Sequence, residues 1–106
     1  MSKKKLDEAI DSIAEQLVKK YKAKKVILFG SAAKGKFRSD SDFDFLVIKD
    51  DVPHFGVDRM REVERLVETS WPCDFLVARP SEVKKRLKMG DPFLKTIFEE
   101  GKVLYG

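Results

Sequence analysis

Apolar residues recur along this chain with two periods, and the period changes wherever glycine, proline and aspartate fall. Leu6, Ile10, Ile13, Leu17 and Tyr21 stand three or four positions apart, the spacing that lines one face of an α-helix. Lys5 to Lys22 is therefore predicted as an amphipathic helix with a lysine-rich outer face. Lys25 to Phe29 reads as a short buried strand that stops at Gly30, and Ser31 to Lys36 as a turn or a short helix. Phe43 to Ile48 is a second strand, apolar at every position beyond Asp44, so both of its faces should be covered. Lys49 to Gly56, with Asp50, Asp51, Pro53 and Gly56, is loop. Val57, Met60, Val63 (or Glu64) and Val67 mark a second long helix that ends near Ser70, and Cys73 to Ala78 is a third strand. Ser81, after Pro80, is placed to cap a helix through Leu87. Asp91 before Pro92 caps another that runs to Glu100 and ends at Gly101, and Lys102 to Tyr105 forms a short closing strand. Strands alternating with helices of this length predict an α/β sheet covered by helices.

Length and composition narrow the class. The 106 residues make one domain, 1–106, with a single modest core. A hydrophobic share of 42% excludes disorder, and 38% charged residues make the surface strongly ionic. Lysine plus arginine (22) against aspartate plus glutamate (18) leaves +4, far from a polycation. No uncharged apolar run exceeds Val26 to Phe29, so no membrane span is expected, and no apolar leader core follows Met1 to Lys5. One cysteine and one histidine build neither an internal disulfide nor a zinc site. The expected compartment is the cytoplasm, and any catalytic metal must be a hard cation held by carboxylates.

The chemistry concentrates between residues 30 and 74. Asp42 and Asp44 are two apart at the start of a strand and so share a face, while Phe43, Phe45 and Val47 take the opposite one. Adjacent carboxylates repel, and both stay ionised most readily with a cation between them. Asp74 opens the next strand; if the two strands are neighbours it completes a three-carboxylate cluster. Such a cluster suits two magnesium ions about 3.5–4 Å apart, the arrangement of in-line phosphoryl transfer. Upstream, Gly30 permits close backbone approach, and the Ser31 hydroxyl with the following backbone N–H groups makes a small anion site. Lys34, Lys36 and Arg38 lie just beyond it, placed to neutralise a triphosphate. An anion cradle followed by a carboxylate pair suits a metal-bound nucleoside triphosphate, and nucleotidyl transfer with departure of pyrophosphate.

Gly30-Ser31, ten residues, Asp42-Phe43-Asp44, and Asp74 as a third carboxylate together resemble the signature of the DNA polymerase beta-type nucleotidyltransferase superfamily. More narrowly, the chain resembles the minimal nucleotidyltransferases, small prokaryotic proteins often encoded beside a HEPN-domain partner. The similarity extends from the leading helix through Leu28-Phe29-Gly30-Ser31, Ser41 to Val47 and the Asp74 strand to the closing Phe93–Tyr105 segment. It implies the nucleotidyltransferase fold, an α+β arrangement with a small mixed β-sheet flanked by helices. It also implies that Gly30 and Ser31 hold the triphosphate and that Asp42 and Asp44 bind two Mg²⁺ ions. Asp74 would bind the catalytic metal and help deprotonate the attacking hydroxyl. Many members carry arginine directly after Gly-Ser and again at the turn, where this chain has Ala32 and Lys34. Lysine keeps the charge but not the fork geometry of arginine.

Larger members of the superfamily hold the acceptor with an added domain, so a partner chain or self-association is expected to complete this site. The resemblance implies a HEPN-type helical partner and an antitoxin role, with AMP moved from ATP to a tyrosine of the partner. The competing expectation is a non-catalytic module that neutralises a partner by contact; transfer to RNA or to an aminoglycoside-like molecule ranks below both. No basic stripe interleaved with aromatics marks a nucleic-acid surface. The lysines at 3–5 and 19–25 read as the wet side of a helix and its exit. Cys73 reads as a small hydrophobe, His54 as a surface residue, Trp71 as packing at a helix–strand junction, and Tyr105 as a core anchor.

Overall fold

The computed structural model describes residues 2–36 and 41–106. In chain order they form α1 (Lys3–Lys19), β1 (Lys25–Phe29), β2 (Phe43–Ile48), α2 (Gly56–Leu66), β3 (Cys73–Ala78), α3 (Pro80–Lys88), α4 (Pro92–Glu100) and β4 (Lys102–Tyr105). The strands make one mixed sheet in the order β3-β2-β1-β4. β1 runs antiparallel to β2 and to β4, whereas β2 and β3 are parallel and joined through α2. All four strands occupy the spans expected from the sequence. No helix among the described residues is long and apolar enough to cross a membrane.

Two-residue alternation divides the strands between two cores. Val26, Leu28, Phe43, Phe45, Val47, Phe75 and Val77 face Ile10, Ile13, Ala14 and Leu17 of α1 and Val63 of α2. Phe45 and Phe75 stack there across β2 and β3 at 5.7 Å. Ile27, Leu46, Ile48 and Ala78 face the other way, against Val83 of α3 and Leu94 and Ile97 of α4. β2 is thus covered on both sides, as its unbroken apolar run requires. Leu46 is fully buried, and truncating such a side chain to alanine removes about 2–5 kcal/mol of stability.

The helix ends differ from expectation in ways that capping explains. α1 starts at Lys3 because the Ser2 hydroxyl accepts the Lys5 N–H at 3.2 Å. It ends at Lys19, before the left-handed turn at Lys22 (φ 66°). Ser81 does not cap α3. The helix begins at Pro80, and the Glu82 carboxylate reaches back to accept the Arg79 N–H at 2.7 Å. Proline at the first helical position needs no N–H acceptor, so the start moves one residue earlier. Asp91 does cap α4, accepting the N–H groups of Phe93 (2.9 Å) and Leu94 (3.1 Å).

α2 ends at Leu66, short of Ser70, and its inner seam is Arg59 and Val63, with the buried Val67 just past its end and Val57 55% exposed. The pattern of apolar residues hid this seam because its first member is an arginine. Arg59 is only 5% exposed. It donates to both Glu82 carboxylate oxygens (2.7 and 3.0 Å), to the Val77 carbonyl on the outer edge of β3 (3.1 Å), and to the Pro53 and His54 carbonyls. One guanidinium therefore satisfies a carbonyl on the open edge of β3 and pins the β2–α2 loop, a task its five fixed donors suit. Tyr105 is not a core anchor but 46% exposed. Alternation along β4 turns Leu104 toward the α1 layer and leaves Val103 and Tyr105 outside.

Candidate active site

The sheet register gathers the site. Phe29, the last residue of β1, pairs with Asp44 on β2, and Asp44 lies directly beside Asp74 on β3. The end of one strand and the beginnings of two others thereby meet at one margin of the sheet, with Gly30, Asp44 and Asp74 together. Asp44 shares its face with Leu46 and Ile48, the face that α3 and α4 cover further along. Beyond those helices the sheet changes from apolar to acidic, and a ligand can reach it.

Gly30 adopts φ +73°, and a Cβ there would collide with the Asp44 Oδ2 and lie 3.3 Å from its Cγ. Glycine is needed twice over: for the left-handed conformation and for the carboxylate packed against its Cα. Ser31 follows, partly buried, and its carbonyl accepts the N–H groups of Lys34 (3.2 Å) and Lys36 (2.9 Å). The segment between Ser31 and Lys36 is consequently a compact turn and not a helix.

Two clefts flank the site. The larger, about 380 Å³, is lined by Phe29, Asp44, Met60, Asp74, Leu76 and Phe93 among others. The smaller, about 250 Å³, is lined by Gly30, Lys34, Thr96 and Glu100, and again by Phe29 and Phe93. Burial, and then the negative charges of Asp74 and Asp42, raise the Asp44 carboxyl above the usual carboxylate range. Burial together with the same acids pushes the Cys73 thiol up to about 12. The Cys73 Sγ lies 3.4 Å from the Trp71 carbonyl, so this cysteine is an inert thiol beside the site.

The structure thus brings Gly30, Ser31, Asp44 and Asp74 together. Asp42 sits exposed just ahead of β2, near enough for its charge to act on Asp44. Lys34 lines the smaller cleft and pairs with Glu100 at 3.3 Å. Lys36 is exposed and lines neither cleft, and Arg38 lies outside the described residues. Among the described residues no three Asp, Glu, His or Cys side chains form a ready-made metal cage, consistent with the mutual repulsion of like charges. The donor set itself suits a hard divalent cation. It is all carboxylate, and Asp44 is under negative pressure that a cation would reverse.

Sequence reasoning missed the walls. Phe29, Met60 and Phe93 read as ordinary apolar positions, and only Phe93 gave a signal, since it stands off the Leu94–Ile97 seam of its helix.

A glycine turn pressed on one of two in-register acids, at the margin of a four-stranded mixed sheet, defines a nucleotidyltransferase-type architecture. The chain matches the model of the nucleotidyltransferase domain over residues 10–105 and belongs to that family. It is 30% identical over 101 residues to a Methanocaldococcus jannaschii protein named "putative protein adenylyltransferase", covering 93% of this chain and 97% of that one. Its fold is similar to the crystal structure of a "putative nucleotidyltransferase" from Sulfolobus solfataricus, with TM-score 0.57 and 25% identity over 74% of this chain and 70% of that one. The resemblance read from Gly30-Ser31, Asp42-Phe43-Asp44 and Asp74 is borne out at the level of family and fold.

Proposed function

We propose that this chain transfers AMP from ATP to a hydroxyl group, and that the acceptor is a tyrosine of a HEPN-type helical partner which it silences as an antitoxin. The observation that carries the transfer reading is the register of Asp44 with Asp74 beside the Cβ-free surface of Gly30. The M. jannaschii relative's name supports adenylyl transfer to protein, and the HEPN-type partner rests on the family resemblance.

In this reading Gly30 and Ser31 hold the outer phosphates, and Lys34 exchanges Glu100 for them. Asp42, Asp44 and Asp74 would hold divalent magnesium, which supplies Lewis-acid stabilisation of phosphoryl oxygens. Asp42 and Asp44 would carry the cation that offsets the phosphate charge, and the Asp74 carboxylate takes the proton of the attacking hydroxyl. A bond forms from that oxygen to the α-phosphorus, the bond to the bridging oxygen breaks, and pyrophosphate leaves on the Gly30–Ser31 side.

A second reading draws on Lys34, whose pairing with Glu100 occupies the expected phosphate ligand, and on Ala32 after Ser31. Here the chain neutralises a partner by contact alone. Incubation with α-labelled ATP and magnesium, with and without a HEPN-type protein, separates the two. Transfer predicts label on the partner with wild type and none with Asp44→Asn. Equal protection by both proteins without label leaves contact as the mechanism.

A further inference from the structure

Phe93 is the least expected member of the site. It is the second residue of α4, it is 49% exposed, and it lines both clefts. Its ring meets Phe29 edge-on, with centroids 5.9 Å apart and planes at 86°. Phe29 in turn precedes Gly30 and pairs with Asp44, so the two rings form a ridge between the phosphate side and the acid pair. The neighbours Leu94 and Ile97 supply the packing of α4 on the sheet, which leaves half of Phe93 without a role in the core.

The stereochemistry of transfer gives that ridge an occupant. In-line displacement at phosphorus places the entering and leaving oxygens on opposite sides. With pyrophosphate leaving toward the Gly30–Ser31 turn after β1 and the hydroxyl entering from Asp74 on β3, the phosphorus lies at Asp44 on the strand between. The remaining ester substituent, the ribose with its base, projects sideways from that axis. The acid pair occupies the sheet margin, and Phe93, in the first turn of α4, lines the same cleft. From this placement we infer that Phe93 is the platform on which the nucleobase of the substrate packs. Base–aromatic stacking tolerates any base, so affinity comes from the flat face and not from hydrogen bonding to the base.

This inference rests on the nucleotidyl-transfer reading, and the test keeps the two apart. Equilibrium binding is measured with Mg-ATP and with magnesium tripolyphosphate, which carries the phosphates but no base. Phe93→Ala should weaken Mg-ATP about tenfold and leave tripolyphosphate unchanged, the loss of one base–aromatic contact. Phe93→Trp should bind Mg-ATP at least as well as wild type, and its added indole emission should be quenched by ATP and not by tripolyphosphate. Unchanged ATP affinity in Phe93→Ala, or equal weakening of both ligands, overturns the platform while the transfer reading stands. If wild type binds neither ligand, both readings fall together. Because Phe93→Trp retains a large apolar ring, its quenching result decides the matter even if Phe93→Ala does not fold.

Discussion

The Asp44 carboxylate lies against the Cα of Gly30, in the space that a side chain at position 30 would fill. One residue follows the first strand directly and the other is the second residue of the next; their contact fixes where the glycine turn stands relative to the acids. Gly30→Ala must relieve both a collision and a left-handed backbone (φ +73°). We expect a stability loss of about 1–2 kcal/mol and, because Asp44 is displaced, a fall in transfer rate of about 10²-fold or more. Urea denaturation and single-turnover labelling check the two parts.

Asp44 is held above its ordinary range by burial and by the charges of Asp74 and Asp42. A carboxyl whose pKa rises on folding opposes the folded state once it is ionised, so the penalty is fully present above its folded value and vanishes at acid pH. Asp44→Asn should therefore raise the metal-free melting temperature at pH 7 and leave it unchanged at pH 3. In the proposed reading magnesium stabilises wild type, and Asp44→Asn should abolish both that stabilisation and transfer. Thermal melts at pH 3 and pH 7, with and without magnesium, test all three.

Arg59 and Glu82 give the opposite pH sign. Hydrogen bonding to Arg59 pulls Glu82 from 4.5 down to about 2. This pair stabilises the fold fully above about pH 4.5, and the contribution disappears as pH falls toward 2. Glu82→Gln should flatten the stability profile across that window. Arg59→Leu leaves the Val77, Pro53 and His54 carbonyls without their donor and should destabilise by about 3 kcal/mol. Denaturant midpoints between pH 2 and 6 distinguish the variants.

Cys73 adjoins the acids in sequence, yet its thiol is pushed up to about 12. Iodoacetamide should label it slowly at pH 8, with no inflection below pH 10, since only the thiolate reacts. Cys73→Ala should retain labelled-AMP transfer within about twofold of wild type. A large loss would give the thiol a part in the chemistry.

Local chemistry made much of this protein legible in the chain alone. Unbroken apolar runs such as Phe45 to Ile48 marked strands covered on both faces, and Asp91-Pro92 marked a helix start through capping and a fixed φ. Gly30-Ser31, Asp42-Phe43-Asp44 and Asp74 identified the family because the residue types and spacing belong to one chemistry. What escaped depends on contacts between segments far apart in sequence. Arg59 gave no sign in the sequence of its buried role, which arises only because Glu82 and three carbonyls from two other segments converge on it. Phe93 looked like another helix apolar residue until α4 laid it beside Phe29. The pairing of Asp44 with Asp74 needed β2 and β3 to be neighbours in register, which no spacing encodes. Periodicity and capping act within a few residues and can be read from the chain. Register, burial and the company of charges are set only when distant segments pack.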